Sequence, residues 1–450
     1  MIRILGLVTV VLFMVLALFS ASDAAVLADA RSTMTFGFLL LTAYLVGDVL
    51  SHFKVPKITG YILAGIFFGP YAFELVDAAT VRELKLIDDL ALTFIALAAG
   101  GELRLAQLRR QRRSITLIVL FQTVIVSLGV AAFVLVARPL LPFLDGRSMA
   151  EVMAVAALLG VLSVARSPAS AIAIIHECRS RGPFTEMVLG VTVVVDVLVI
   201  LLFAVVVSVC QAVVVPGGGM DFQFIEMIGI ELAVSVFAGI LLGWVVSLYI
   251  GYVKAELLVF ILAMAFLVTF FSRQFAFFLD RFYDVSFHLE PMLICVTAGF
   301  WIQNFSRSGR QFMEQIDRSS LPIYVIFFSL TGAALNVDAL KETWLVAVLV
   351  VAVRFILISL GAYLGTSLSG DPPRFRRMAG LSFITQAGVS LGLAGIVMRR
   401  FPDWGAALAT TIVAIIALNQ IIGPIAFKFA LNAVGEARAN PDRRIQSQER

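Results

Sequence analysis

Apolar stretches long enough to cross a lipid bilayer recur along almost the whole chain, and that recurrence decides the fold class. A hydrocarbon core of about 30 Å takes roughly 20 apolar residues of helix. Only helices or closed barrels keep their backbone polar groups paired in such a medium. By that ruler spans are expected near residues 34–53, 58–74, 87–103, 115–137, 149–177, 183–210, 224–250, 255–271, 286–303, 321–337, 342–366, 376–399 and 403–434. The expected class is therefore an all-α polytopic membrane protein of about thirteen transmembrane helices. Charge agrees: 14% of the 450 residues are Asp, Glu, Lys or Arg and 60% are hydrophobic, where soluble domains carry about a quarter charged. No Walker-type loop or dinucleotide fingerprint is present, so no cofactor and no nucleotide-binding domain are expected. The net charge of +4 sits in short loops between apolar runs and calls for no nucleic-acid partner.

Residues 1–24 read as a signal peptide or as an extra N-terminal helix. An apolar run from Ile4 to Phe19 is followed by small residues, with Ser22 and Ala24 suited to cleavage before Ala25. Residues 34–434 form the expected transmembrane domain, and 435–450 a short polar tail. If that tail is cytoplasmic, the loops on its side hold Lys54 and Lys57, Arg104 to Arg113, Arg179 and Arg181, Arg307 to Arg318, and Arg374 to Arg377. That side carries about twice the basic residues of the other, as the positive-inside rule requires. The expectation is a multi-pass inner (plasma) membrane protein with its C-terminus cytoplasmic and its mature N-terminus outside.

Counted in this way, segments 34–210 and 255–434 can be inverted repeats, and the fifth span corresponds to the twelfth. Both are interrupted, one by Ser167-Pro168 and the other by Gln386-Ala387-Gly388. Breaks in matching helices point to a midplane substrate site. There, unwound backbone groups replace an ion's water shell, with Ser163, Ser167, Thr385, Gln386 and Ser390 as the side chains best placed to help. Ordinary interhelical hydrogen bonding is the alternative use of those side chains, and Pro168 shapes the break.

Three ionisable residues fall deep inside predicted spans: Arg166, Arg354 and Asp196. A charge there costs about 2.5–3.5 kcal/mol on insertion scales unless it is paired or hydrated. A lone carboxylate in such a place can accept a proton or a metal cation in turn, which is the requirement of an exchanger. Asp196 is the candidate site for a transported, not structural, Na⁺ or K⁺. The competing reading is a structural ion pair of Asp196 with Arg354 or Arg166. Among carboxylates nearer span ends (Asp48, Glu102, Glu151, Glu290 and Asp338), Glu290 is the secondary candidate, and a partner for Arg166. The histidines His52, His176 and His288 are scattered, with no local His/Asp/Glu cluster. Cys178, Cys210 and Cys295 have no metal-ligand spacing and read as buried, inert thiols.

The motifs together resemble the monovalent cation:proton antiporter superfamily, in the branch of sodium/proton exchangers and potassium-efflux antiporters. They are VPKITGYILAGIFFGP at 55–70, LAAGGEL at 97–103, Ala165-Arg166-Ser167-Pro168-Ala169, Leu189-Gly190 through Asp196, FSLTGAAL at 328–335 and QAGVSLG at 386–392. They cover roughly residues 35–430. The resemblance implies a dimerisation domain beside a mobile core with crossed broken helices, an elevator-like movement, and a cation carried at Asp196. Arg354 matches the family's later basic residue. The chain departs from the family at Val195, where a carboxylate or Asn often precedes the Asp, and at Arg166, where a Thr is usual. With one exchanging carboxylate, one-for-one electroneutral exchange is expected. Two other readings stand beside it: an organic-anion carrier of the same architecture, with Arg166 and Arg354 holding the anion, and a non-transporting membrane scaffold or sensor.

Overall fold

A computed structural model describes residues 24–214, 222–253, 256–283, 287–335, 337–386 and 389–437. The leader up to residue 23, Ala387 and Gly388 of the second break, and the tail from residue 438 lie outside the described residues. Among the described residues all regular structure is helical, with no strand. The principal helices are α1 (Ala24–His52), α2 (Lys57–Phe68), α3 (Lys85–Glu102), α4 (Arg112–Val136), α5 (Met149–Leu162), α6 (Pro168–Glu177) and α7 (Pro183–Val214). They continue as α8 (Phe222–Tyr252), α9 (Leu257–Tyr283), α10 (Pro291–Phe305), α11 (Gly309–Ala334), α12 (Val337–Ser369), α13 (Val389–Arg400) and α14 (Gly405–Val434). Among the described residues, seven helices are long and apolar enough to cross a membrane on their own. Shorter apolar helices, including α2, α5 and α10, accompany them.

Helix occupies every predicted span, but boundaries shift where hydropathy is a poor guide. The span expected from 321 begins at Gly309, because GRQFMEQIDRSS is polar in sequence yet buries Phe312 and Ile316 on one helical face. The fifth span is two helices, α5 and α6, separated by non-helical residues 163–167. The twelfth is a short helix Pro373–Met378, a 3₁₀ turn Ala379–Phe383, unwound residues 384–386 and then α13.

The helices pack as two groups. One contains α1, α2, α3, α8, α9, α10 and α11; the other contains α4, α5, α6, α7, α12, α13 and α14. They meet along a seam where α3 and α2 touch α6, α2 touches α14, and α7 touches α8. Within the first group, close approach depends on paired glycines. Gly100 of α3 lies over the Val296 carbonyl of α10, and Gly299 of α10 over the Leu97 carbonyl of α3. Gly65 and Gly332 join α2 to α11 in the same reciprocal way. A Cβ at any of the four would overlap a backbone oxygen, and such small-residue contacts let helices associate where lipid supplies no hydrophobic drive. Gly332→Val should therefore lower stability by about 1–3 kcal/mol, read as a fall in apparent melting temperature in detergent. Gly37→Val, at a position where a Cβ meets nothing, should leave that temperature unchanged.

Loops expected on the cytoplasmic side gather on one face, here called the basic face. Gln111 donates to the Pro183 carbonyl, Ser114 to Asp371, and Arg113 to the Leu368 carbonyl. Glu436 accepts from the backbone N–H groups of Phe184 and Thr185 at the start of α7. The three cysteines are buried and unpaired, as read from their surroundings.

Candidate functional site

The two breaks cross and are bonded to each other. Pro168 cannot continue α5, since it lacks an N–H and disfavours helical geometry at the residue before it. It begins α6 instead, with Ser167 Oγ accepting from the Ser170 N–H at 3.2 Å as the cap. The freed Ser167 N–H donates to the Thr385 carbonyl of the other break at 3.2 Å. Gln386 Nε2 donates to the Leu162 carbonyl (2.8 Å) and to Ser390 Oγ (3.1 Å), while its Oε1 accepts from Asn419 Nδ2 at 3.0 Å. Ser163 Oγ donates to the Leu159 carbonyl at 2.7 Å. The Ser167 N–H and the Gln386 amide tie the two breaks together, while the Ser163 and Ser167 hydroxyls bond within their own helices.

Arg354 of α12 enters this crossing from the side. Nε donates to the Ser163 carbonyl (2.7 Å), Nη1 to that of Ile384 (2.8 Å) and Nη2 to that of Ala165 (2.9 Å), and the residue is 1% exposed. The last carbonyls of a helix lack partners and carry partial negative charge. One guanidinium therefore satisfies the ends of both half-helices, α5 and the 379–383 turn. A resident side-chain cation holds unwound carbonyls that the sequence reading assigned to the cargo.

Arg166 is equally buried. Its Nη2 donates to Gln122 Oε1 (3.3 Å), its Nη1 to its neighbour's carbonyl at Ala165 (3.2 Å), and its guanidinium lies 5.8 Å from the Phe383 ring centroid. Nε has no hydrogen-bond partner. Neither arginine is bonded to Asp196 or to Glu290 among the described residues. The structural ion pair, and the pairing of Arg166 with Glu290, are thus replaced by bonds to backbone carbonyls and to Gln122. The reason is local: the helix ends already supply the negative potential that a carboxylate would have brought.

Asp196 sits midway along α7. Helices α6 and α7 are joined by residues 178–182 and pack on each other, and α7 also packs on α5; equal rises in an antiparallel pair put Thr192 level with Pro168 and Asp196 about one turn beyond. Asp196 shares a face with Thr192 and Val199, both buried. Its Oδ1 is sealed from solvent and has no hydrogen-bond partner. Glu290 precedes α10 in the opposite helix group, and its N–H donates to Ser235 Oγ at 3.0 Å. Sequence reading missed Gln122 and Asn419, which no local pattern marks.

A cavity of about 1580 Å³ opens on the basic face, along the seam, lined by Lys57, Tyr61, Glu177, Tyr324 and Lys428 among others. It reaches α6 at His176, and Asp196 is not among its lining residues. The sequence has no local His/Asp/Glu cluster, but packing makes one from distant positions. Glu102, His176 and Asp317 come together on the cavity wall, with one ligand atom of each within 4.8 Å of the others. Glu177 bonds Lys428 Nζ at 2.8 Å and the Lys57 N–H at 2.9 Å beside them.

The crossed interrupted helices within a many-helix apolar bundle define a multi-pass membrane transport protein. A family profile described as "Sodium/hydrogen exchanger, transmembrane" matches residues 37–433, and the chain belongs to that family. It is 23% identical to the Na(+)/H(+)-K(+) antiporter GerN of Bacillus cereus over 416 residues, 89% of this chain and 96% of GerN. It is 24% identical to the Probable Na(+)/H(+) antiporter 3 of Methanocaldococcus jannaschii over 174 residues, and that match spans 38% of this chain and 41% of the relative. Among solved structures, that of the sodium proton antiporter MjNhaP1 from M. jannaschii at pH 8 superposes with a TM-score of 0.65 at 18% identity, covering 90% of this chain and 99% of the other.

Proposed function

We propose that this protein exchanges a monovalent cation, Na⁺ or K⁺, for H⁺ across the cell membrane, with Asp196 as the alternating site. The observation that carries the reading is the sealed, unpartnered Asp196 Oδ1, on the helix packed against both halves of the first break. A buried acceptor without a donor is costly, and either a proton or a cation relieves that cost. The names of GerN and MjNhaP1 support the same class of cargo. The group containing α7 is the moving body of an elevator, the other group supplies the homodimer contact, and the basic face is cytoplasmic. Segments 34–210 and 255–434 are inverted repeats in this reading. An organic anion fits less well: all three Arg354 nitrogens are committed to carbonyls, and Arg166 is sealed with a single unpartnered nitrogen.

Asp196 is the carboxylate that travels, since Glu290 belongs to the opposite group. The exchange is therefore one-for-one and electroneutral. In reconstituted vesicles, an imposed potential of 100 mV, worth about 2.3 kcal/mol per net charge moved, should change the initial exchange rate by less than about twofold. A tenfold response to potential, with activity intact, would reject the one-for-one stoichiometry.

A further inference from the structure

We infer that Glu102, His176 and Asp317 form a binding site for a divalent transition-metal ion of the zinc class, which ties the two helix groups together at the basic face. Glu102 ends α3 and Asp317 lies on α11, both in the first group, whereas His176 lies on α6 in the second. Any ion held by all three bridges the seam.

Two independent observations carry the site. The first is convergence: His176 Nε2 lies 3.2 Å from Glu102 Oε1, and Asp317 Oδ1 lies 3.6 Å from Nδ1. Two ligands on one tetrahedral ion at bond lengths of about 2.0–2.2 Å stand a little over 3 Å apart, so His176 and Glu102 already have that separation. Asp317, half exposed, stands by the second ring nitrogen and closes on an ion at Nε2 by moving its free carboxylate. The second observation is the state of the imidazole. The His176 side chain is only 9% exposed, and its sealed Nε2 faces Glu102 Oε1 at 3.2 Å with no other polar partner. A buried imidazole between two carboxylates of the opposite helix group is a ready ligand, and without a metal it pairs with them.

The chemistry selects the ion. One imidazole nitrogen with two carboxylates suits zinc-class metals, whereas magnesium and calcium take all-oxygen sets. The two carboxylates balance the divalent charge. Arg181 flanks both of them and Arg104 flanks Glu102, while the carboxylate of Glu314 lies near Asp317; neither arginine is bonded to them among the described residues, and an ion in direct contact outweighs both. The cavity provides entry and water for the remaining coordination position.

Untagged protein in detergent, equilibrated with Zn²⁺ against a chromophoric chelator, should bind one ion per chain. Co²⁺ in its place should give ligand-field absorption bands. His176→Gln and Asp317→Asn should each weaken Zn²⁺ binding at least about tenfold and remove the cobalt bands, with gel-filtration profiles unchanged. No stoichiometric binding, or equal binding by wild type and His176→Gln, overturns the site. The bridging role rests on the exchanger reading and is read separately: in everted vesicles saturating Zn²⁺ should slow exchange at least tenfold in wild type and not in His176→Gln. Full-rate exchange with the metal bound overturns the tie. Absence of any exchange would count against the transport reading alone, because the binding result stands without it.

Discussion

Asp196→Asn is expected to reduce cation-driven proton flux to that of protein-free vesicles while leaving the fold intact. Asn matches the carboxylic acid in shape but can neither release a proton nor offer negative charge to a cation. Two unit charges 4 Å apart attract by about 4 kcal/mol at an effective dielectric near 20, and each 1.4 kcal/mol is tenfold. Losing that attraction costs cation affinity on the order of a thousandfold, and the proton limb of the cycle is lost with it. Stability should not fall, because Asp196 Oδ1 makes no hydrogen bond to be broken. Removing an ionisable group from mid-bundle also removes a desolvation cost. The check is fluorescence-monitored proton movement on addition of Na⁺ or K⁺, with Asp145→Asn in an exposed loop as the bystander. Flux in Asp196→Asn above about a tenth of wild type would mean that another group carries the exchange.

Hydropathy made the helices legible because each span must hide its own backbone in lipid, so its evidence is local. Breaks were legible for a related reason, since Pro168 forbids a continuous helix by its covalent structure. What balances the buried arginines was not legible. Arg354 is held by three main-chain carbonyls, and a carbonyl has no sequence signature. The Gln122 that meets Arg166 lies 44 positions before it, and Asn419 lies 33 after Gln386; nothing at such separations distinguishes them from other buried polar residues. Glu102, His176 and Asp317 were dispersed for the same reason: their convergence is made by the packing of α3, α6 and α11, not by spacing. The start of α11 was misjudged because the half-buried segment from Gly309 pairs a polar average with an apolar face. Gly388, the last residue of the second break as its sequence reads, lies outside the described residues.

Arg354→Ala is expected to be the most destabilising single change in the crossing, and Arg166 provides the contrast that tests why. Removing the Arg354 guanidinium leaves the carbonyls of Ser163, Ala165 and Ile384 without that donor in a site closed to water. Each orphaned group costs about 1–3 kcal/mol, so the total is on the order of 5 kcal/mol against a typical whole-protein stability of about 5–15 kcal/mol. The two helix ends would also face each other with their negative poles uncompensated. Arg354→Lys keeps the charge but not the planar fork, and should recover part of the loss. Arg166 differs in kind: its Nε is unpartnered, its bonds to Gln122 and Ala165 are longer, and it lies within the field of the like-charged Arg354. Arg166→Gln removes that repulsion together with two weak bonds, so its apparent melting temperature should stay close to wild type while Arg354→Ala falls well below it. If the two variants melt alike, the crossing is not held by the guanidinium of α12, and the helix ends must be balanced by something other than a resident cation.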